Sequence, residues 1–261
     1  MKIQNLGRAV VLAMVSSALT FTYAASAASI GFVGGLTNGV LDDTFDLAWR
    51  DRLTTQGHTV TMIDQTTLST DPIFGGLNLL IVSQDVGAGT FRSGVGINQP
   101  MPYLIYEPAL YGDFFGAGNG SRAGVNGGVN IVNTTHPLAA GLTGDLANLS
   151  IYTGPENISS FDVSGISLGT TLIGQMVTTP NNGVFALLEA GAVGGGGNVW
   201  WQHRIAVPAW DGWDPALVTA NGWQLLDNAV TFGLTPPVPE PSSLALIGLG
   251  MAFFLARRQR R

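Results

Sequence analysis

Apolar runs of four to six residues recur along the middle of the chain, each closed by glycine, proline or an acid, and between some of them the apolar period changes from two to nearly four. Ser29-Ile-Gly-Phe-Val33 ends at Gly34-Gly35, as a buried first strand feeding a tight turn would. Asp42 or Asp43 then caps a predicted helix carrying Phe45, Ala48, Trp49 and Leu53 on one face and stopped by Gly57. Thr59–Ile63, Leu79–Val82 and Pro102–Tyr106 follow as strands, with a Gly-rich loop over Gly87–Gly96 before the last. Strand, helix, strand, segment, strand is the grammar of a parallel sheet.

Beyond Tyr106 the pattern becomes richer in β-structure. Pro108 suits the first turn of a helix, which leaves Glu107 at the carboxyl end of a central strand, where open α/β sheets bind ligands. Val129–Val132, Leu149–Tyr152, Thr171–Ile173, Val184–Leu188 and Asn198–Val207 read as strands, with Gly194–Gly197 as a hairpin loop between the last two. A closing helix opens at Asn221, puts Leu226, Ala229 and Val230 on one face and ends at Gly233. The expected fold is therefore α/β: a flavodoxin-like parallel sheet flanked by helices, with extra β-structure in the second half.

The two ends do not belong to that fold. Lys2 and Arg8 precede an apolar stretch from Ala9 to Ala25 that finishes in Ala25-Ser-Ala27, the three parts of a secretory signal peptide over 1–27, cut after Ala27. The globular domain then occupies 28–235 and a Pro-rich linker and tail 236–261. Within the tail, Pro239 and Pro241 bracket Glu240, an apolar helix is expected over 244–256, and Arg257, Arg258, Arg260 and Arg261 close the chain. Thirteen helical residues span roughly 20 Å, against about 30 Å of hydrocarbon. Such a helix inserts only with snorkelling arginines and local thinning, and suits a transient hold better than a permanent anchor.

Val-Pro-Glu-Pro, apolar helix and Arg-Arg-x-Arg-Arg, in that order over Val238–Arg261, resemble the PEP-CTERM sorting signal of Gram-negative bacteria. The resemblance implies export by the Sec machinery, transient residence in the inner membrane, an exosortase as partner, a mature form at the cell surface or outside the cell, and a setting of exopolysaccharide production. A second resemblance runs through the domain: Gly57-His58-Thr-Val60, Asn78–Val82, Asn133-Thr-Thr-His136-Pro-Leu-Ala-Ala-Gly-Leu142 and Asn221–Val230 look like the ThuA-like branch of the class I glutamine-amidotransferase-like fold. In the amidotransferases the turn after the central strand carries a nucleophilic cysteine. Glu107-Pro108 stands there in this chain, so that chemistry does not carry over, while the ThuA-like branch implies a carbohydrate context or a non-catalytic role.

Charge and composition then narrow the function. With both ends set aside, five arginines and no lysine face sixteen acids, a net charge of −11. That excludes a nucleic-acid partner, whose phosphates need a basic footprint. No cysteine is present, which removes disulfides and thiol nucleophiles together. Gly34-Gly35-x-x-x-Gly39 fits neither dinucleotide nor P-loop spacing, and no G-x-S-x-G elbow occurs.

Three candidate constellations remain. Glu107 and Asp85, both at predicted strand ends, would suit acid/base work or glycoside hydrolysis if about 5–9 Å apart, with His136 or His203 as a further pocket residue. The plainer alternative is a helix-start carboxylate, a loop acid and structural histidines, none of them at metal-ligand spacing. Trp210 and Trp213, flanked by Asp211 and Asp214, could stack on sugar rings or could be core. Asp211 and Asp214 also suggest a calcium site, though with fewer ligands than an EF-hand loop uses. These features favour an exported, non-catalytic binding or structural protein; the alternative is a carbohydrate-active hydrolase built on Glu107.

Overall fold

The computed structural model describes residues 27–37, 39–68, 74–93, 95–116, 121–124 and 128–236. The expected signal peptide, except Ala27, and the sorting motif with its apolar helix and arginines lie outside the described residues. Among the described residues no helix is long and apolar enough to cross a membrane.

The elements in chain order are β1 (Ser29–Gly34), the two-residue strands β2 (Leu36–Thr37) and β3 (Val40–Leu41), α1 (Thr44–Thr55), β4 (Thr59–Asp64), β5 (Leu79–Val82), α2 (Ala88–Ser93), β6 (Tyr103–Ile105) and α3 (Tyr111–Phe115). They continue with β7 (Ser121–Gly124), β8 (Val129–Ile131), β9 (Asn157–Asp162), β10 (Thr170–Met176), β11 (Asn182–Leu188), β12 (Arg204–Ala206) and α4 (Ala220–Leu234). The main sheet runs β4-β1-β5-β6-β12-β11-β10-β8. The first five of these strands are mutually parallel. Taken in chain order they give 2-1-3-4-5, the flavodoxin arrangement, whose switch point lies between β1 and β5. From β12 onward the neighbours are antiparallel, and β7 and β9 join the rim beside β11.

Strand alternation divides the core into two layers. Ile30, Phe32, Leu79, Ile81, Leu104, Tyr106 and Ile205 pack against Phe45, Trp49 and Leu53 of α1 and Leu225, Leu226 and Ala229 of α4. Val33, Leu80, Val82, Tyr103, Ile105 and Ala206 face Phe91 of α2 and Tyr111, Phe114 and Phe115 of α3. A strand buried on both faces must be apolar at every position, which is why β5 reads Leu-Leu-Ile-Val without alternation.

Several sequence expectations change here. The Gly87–Gly96 loop contains α2. Leu149–Tyr152 forms only isolated bridges, Leu149 to Val129 and Tyr152 to Val218. Asn198–Val207 is a strand only over Arg204–Ala206, because Asn198 turns back on Gly194 and Gly195. β7 and β9 were not foreseen: Ser-Arg-Ala-Gly and Asn-Ile-Ser-Ser-Phe-Asp carry too little apolar periodicity to announce themselves.

Candidate functional site

The carboxyl ends of the parallel strands gather acids. β1 ends in Gly34 and Gly35, and a Cβ on Gly35 would lie 3.0 Å from Asp42 Oδ2 and 3.2 Å from Asp85 Oδ2. The missing side chain is what lets the two carboxylates close over the backbone. Asp43 caps α1, accepting from the Phe45 amide at 2.7 Å and the Asp46 amide at 3.3 Å. Burial raises its pKa, and the Asp85 charge adds to the effect.

Asp46, one helical turn inside, is buried. It accepts from Ser83 Oγ at 2.6 Å and from the Tyr106 hydroxyl, so residues from α1, the end of β5 and the end of β6 are tied together beneath the surface acids. Desolvation pushes the Asp46 pKa up to about 7, against the two hydrogen bonds that lower it. Tyr106 is in turn pushed well above its ordinary value by burial and by the Asp46 charge.

Asp211 follows β12 and arrives beside Asp85. Its pKa is pushed up to about 7, first by burial, then by a hydrogen bond with Asp85 and by the Asp85 charge. Gln84, its amide oriented by these acceptors, donates to both Asp211 oxygens, and the Gly212 amide donates to Oδ1 at 2.8 Å. The result is a rim of Asp42, Asp43, Asp85 and Asp211 around the switch point, with Asp211 shared between neutral and charged forms near pH 7.

Glu107 stands on the same strand edge but faces the other layer. Its Oε1 accepts from the Ala109 amide at 2.8 Å, capping the turn Pro108–Leu110, and the Tyr111 hydroxyl is pushed up by burial first and by the Glu107 charge second. Asp85 is thus partnered by Asp211, a residue the sequence suggested only as a calcium ligand. Asp214 caps a turn instead, accepting from Ala216 N at 2.9 Å. Among the described residues no group of three or more histidines and acids is arranged to hold a metal ion.

The histidines lie at the opposite edge. His203 precedes β12 and His136 caps the turn Pro137–Ala139; their rings sit 5.1 and 5.4 Å from that of Phe232 near the end of α4. His203 Nδ1 is 3.2 Å from Glu189 Oε2. A β6 strand separates this group from Glu107, roughly 13 Å at four residues of extended chain. A pocket joining Glu107 and Asp85 to His136 or His203 is therefore not formed.

Of the two alternatives for Trp210 and Trp213, the structure has the core one. Trp213 is fully buried: Tyr152 stacks on it at 4.7 Å and 8°, Phe45 meets it edge-on at 5.5 Å, and Nε1 donates to the Asn157 carbonyl at 2.7 Å. Trp210 is 6% exposed. Both are core side chains and not open stacking platforms. The tryptophan that does stand open is Trp201, 77% exposed, whereas its neighbour Trp200 turns inward against Phe114 and Arg204.

Sequence reasoning passed over Asp46, and it raised Asp211 as a calcium candidate and not as a partner of Asp85. Asp46 sits one residue past the apolar Phe45 in a helix start, where an acid is ordinary. That partnership would have been found only by reading β12 as a fifth parallel strand, which brings the turn after Val207 to the ligand-binding edge.

Residues 237–261 match the family model described as the PEP-CTERM protein-sorting motif. That motif marks an exported protein sorted to the cell surface by an exosortase. Among solved structures, the chain is similar to a ThuA-like protein of Parabacteroides merdae, at 10% identity and a TM-score of 0.44, with 82% of this chain and 92% of that chain covered. No curated protein matches the sequence.

Proposed function

We propose that the domain is a non-catalytic binding module of the cell surface, taking a neutral, hydroxyl-rich polymer of the exopolysaccharide class along the acidic edge of its sheet. The observation that carries this reading is the meeting of Asp42, Asp85 and Asp211 at the switch point. Carboxylates accept strong hydrogen bonds from hydroxyl donors, and a domain of net charge −11 repels anionic polymers while leaving neutral ones unaffected. The Sec machinery and the inner membrane enter as partners of the precursor, held by its apolar stretch over 244–256 until an exosortase acts.

A carbohydrate-active hydrolase is the second reading, favoured by a carboxyl group, Asp211, whose pKa is pushed up to about 7 by burial and by Asp85. The Asp85–Asp211 pair itself is too close for it: glycoside hydrolysis uses carboxyl groups about 5–9.5 Å apart, and these share a hydrogen bond. The reaction would have to use Glu107 with Asp85.

Glycan arrays and polysaccharide pull-downs separate these readings. Retention on a neutral polymer, lost in an Asp85→Asn/Asp211→Asn double variant, supports binding; no retention on any polymer overturns it. Turnover that disappears in Glu107→Gln would establish the hydrolase in its place.

A further inference from the structure

Among the described residues seven large apolar side chains are exposed, and four of them fall in two neighbouring segments, with Val40, Val132 and Leu217 elsewhere. Leu168 is fully exposed, and Val193, Val199 and Trp201 are 50%, 43% and 77% exposed. Leu188 pairs with Arg204, so residues 189–203 project as one excursion from the edge where the parallel strands begin. Within it Val193 bridges Val199. Leu168 joins them because Thr170 pairs with Leu188 and Gly169 packs directly on Ala192 and Val193. Residues 190–202 contain no charged side chain, and Glu189 at the base is engaged by His203 at 3.2 Å.

This patch lies on the edge from which the tail departs. Phe232 of α4 rests on His203, two residues from Trp201, and Gly233 abuts Leu79 and Leu104 near the start of their strands. The described chain ends at Pro236, and eight residues later the apolar stretch begins at Leu244. Those eight residues reach at most roughly 28 Å. A tail held in a bilayer would therefore hold this edge close to the lipid surface, and the acidic rim of Asp42, Asp43, Asp85 and Asp211 at the other edge would be kept away from anionic headgroups.

We propose that Leu168, Val193, Val199 and Trp201 form a membrane-contact patch that seats the tethered precursor on the lipid interface, with the ligand-binding edge turned outward. An exposed tryptophan on the same excursion as exposed valines suits the boundary between headgroups and acyl chains. A sugar polymer would cover the Trp201 ring and leave Leu168, Val193 and Val199 without an apolar partner. The proposal rests on the tail holding the precursor in the membrane, and its test must report on the tail separately.

The chain has no cysteine, so single cysteines carry a polarity-sensitive dye without interference. Full-length protein is reconstituted with phosphatidylcholine vesicles, labelled in turn at Trp201→Cys, Leu168→Cys, Leu249→Cys in the tail and Thr66→Cys on the opposite edge. Dyes at 201, 168 and 249 should brighten and be quenched by spin-labelled lipid, while the dye at 66 stays in water. In the unlabelled Trp201→Asp variant, vesicle partitioning should fall about tenfold, as expected for losing one buried aromatic contact. A lipid-quenched tail with water-exposed dyes at 201 and 168 overturns the patch and leaves the sorting reading intact. A tail dye that also stays in water overturns both. Shielding at 201 and 168 that needs no lipid but grows with protein concentration, or that needs added polysaccharide, overturns the patch in favour of self-association or glycan contact.

Discussion

Asp211 and Asp85 share a hydrogen bond between their carboxyl groups at the carboxyl edge of the sheet, and burial, followed by this bond and the Asp85 charge, holds a proton on Asp211 up to about pH 7. Two carboxylates at such range cannot both ionise cheaply. Replacing Asp85 by Asn removes the charge and offers an amide donor, which favours ionised Asp211. The Asp211 pKa should fall towards the ordinary carboxylate range without reaching it, because burial, the largest cause, remains. Carboxyl-carbon NMR titration of Asp85→Asn reads this directly; an unchanged midpoint would show that burial alone holds the proton.

Asp46 makes stability depend on pH. Its folded pKa is raised above the ordinary carboxylate value, so the native state binds more protons than the unfolded chain between about pH 4 and 7. The stabilising contribution is complete below the unfolded value and is lost as pH rises through about 7. For a side chain this buried the change is on the order of a few kcal/mol. Asp46→Asn keeps an acceptor for Tyr106 and turns a donor to Ser83, so it should flatten the slope and match or exceed the parent's stability at pH 8. Urea midpoints at pH 5 and pH 8 test this, and parallel slopes for the two proteins would refute it.

Much of this arrangement was legible in the sequence because burial on both faces writes itself as uninterrupted apolar runs. β1, β5 and β6 announce themselves in that way, as does α1 through Phe45, Trp49 and Leu53. What could not be read is which runs become neighbours. β12 looks like the second arm of a hairpin, and it does pair with β11, but it also pairs in parallel with β6, and only that second pairing delivers Asp211 to Asp85. Nor does composition separate Trp200 from Trp201: the chain bends at Trp201, and of the two neighbours one faces the core while the other faces solvent.

The tryptophan assignments follow from this geometry. Trp213→Ala should cost about 3–5 kcal/mol, since it opens a cavity between Tyr152 and Phe45 and orphans the Asn157 carbonyl. Trp201→Ala, away from the core, should change stability by no more than about 0.5 kcal/mol. Denaturant unfolding of both variants gives the comparison; a mild Trp213→Ala would mean the ring is not packed as described.

The tail carries the remaining expectation. Pro239 and Pro241 disfavour helix and sheet around Glu240, so the sequence predicts a motif read as extended chain ahead of the apolar stretch from Leu244. An enzyme reading that segment needs the backbone accessible, and a run of alanines instead favours extending the following helix back through it. Replacing Pro239, Glu240 and Pro241 with alanine should leave full-length protein in the inner-membrane fraction, with its domain folded and exported but uncut. Substituting Arg257, Arg258, Arg260 and Arg261 with glutamine should act differently, weakening retention of the tail's cytoplasmic end and not the reading of the motif. Fractionation with an antibody to the domain distinguishes the two outcomes by size and location, and processing of the alanine variant at the parent's rate would refute this role for the three residues.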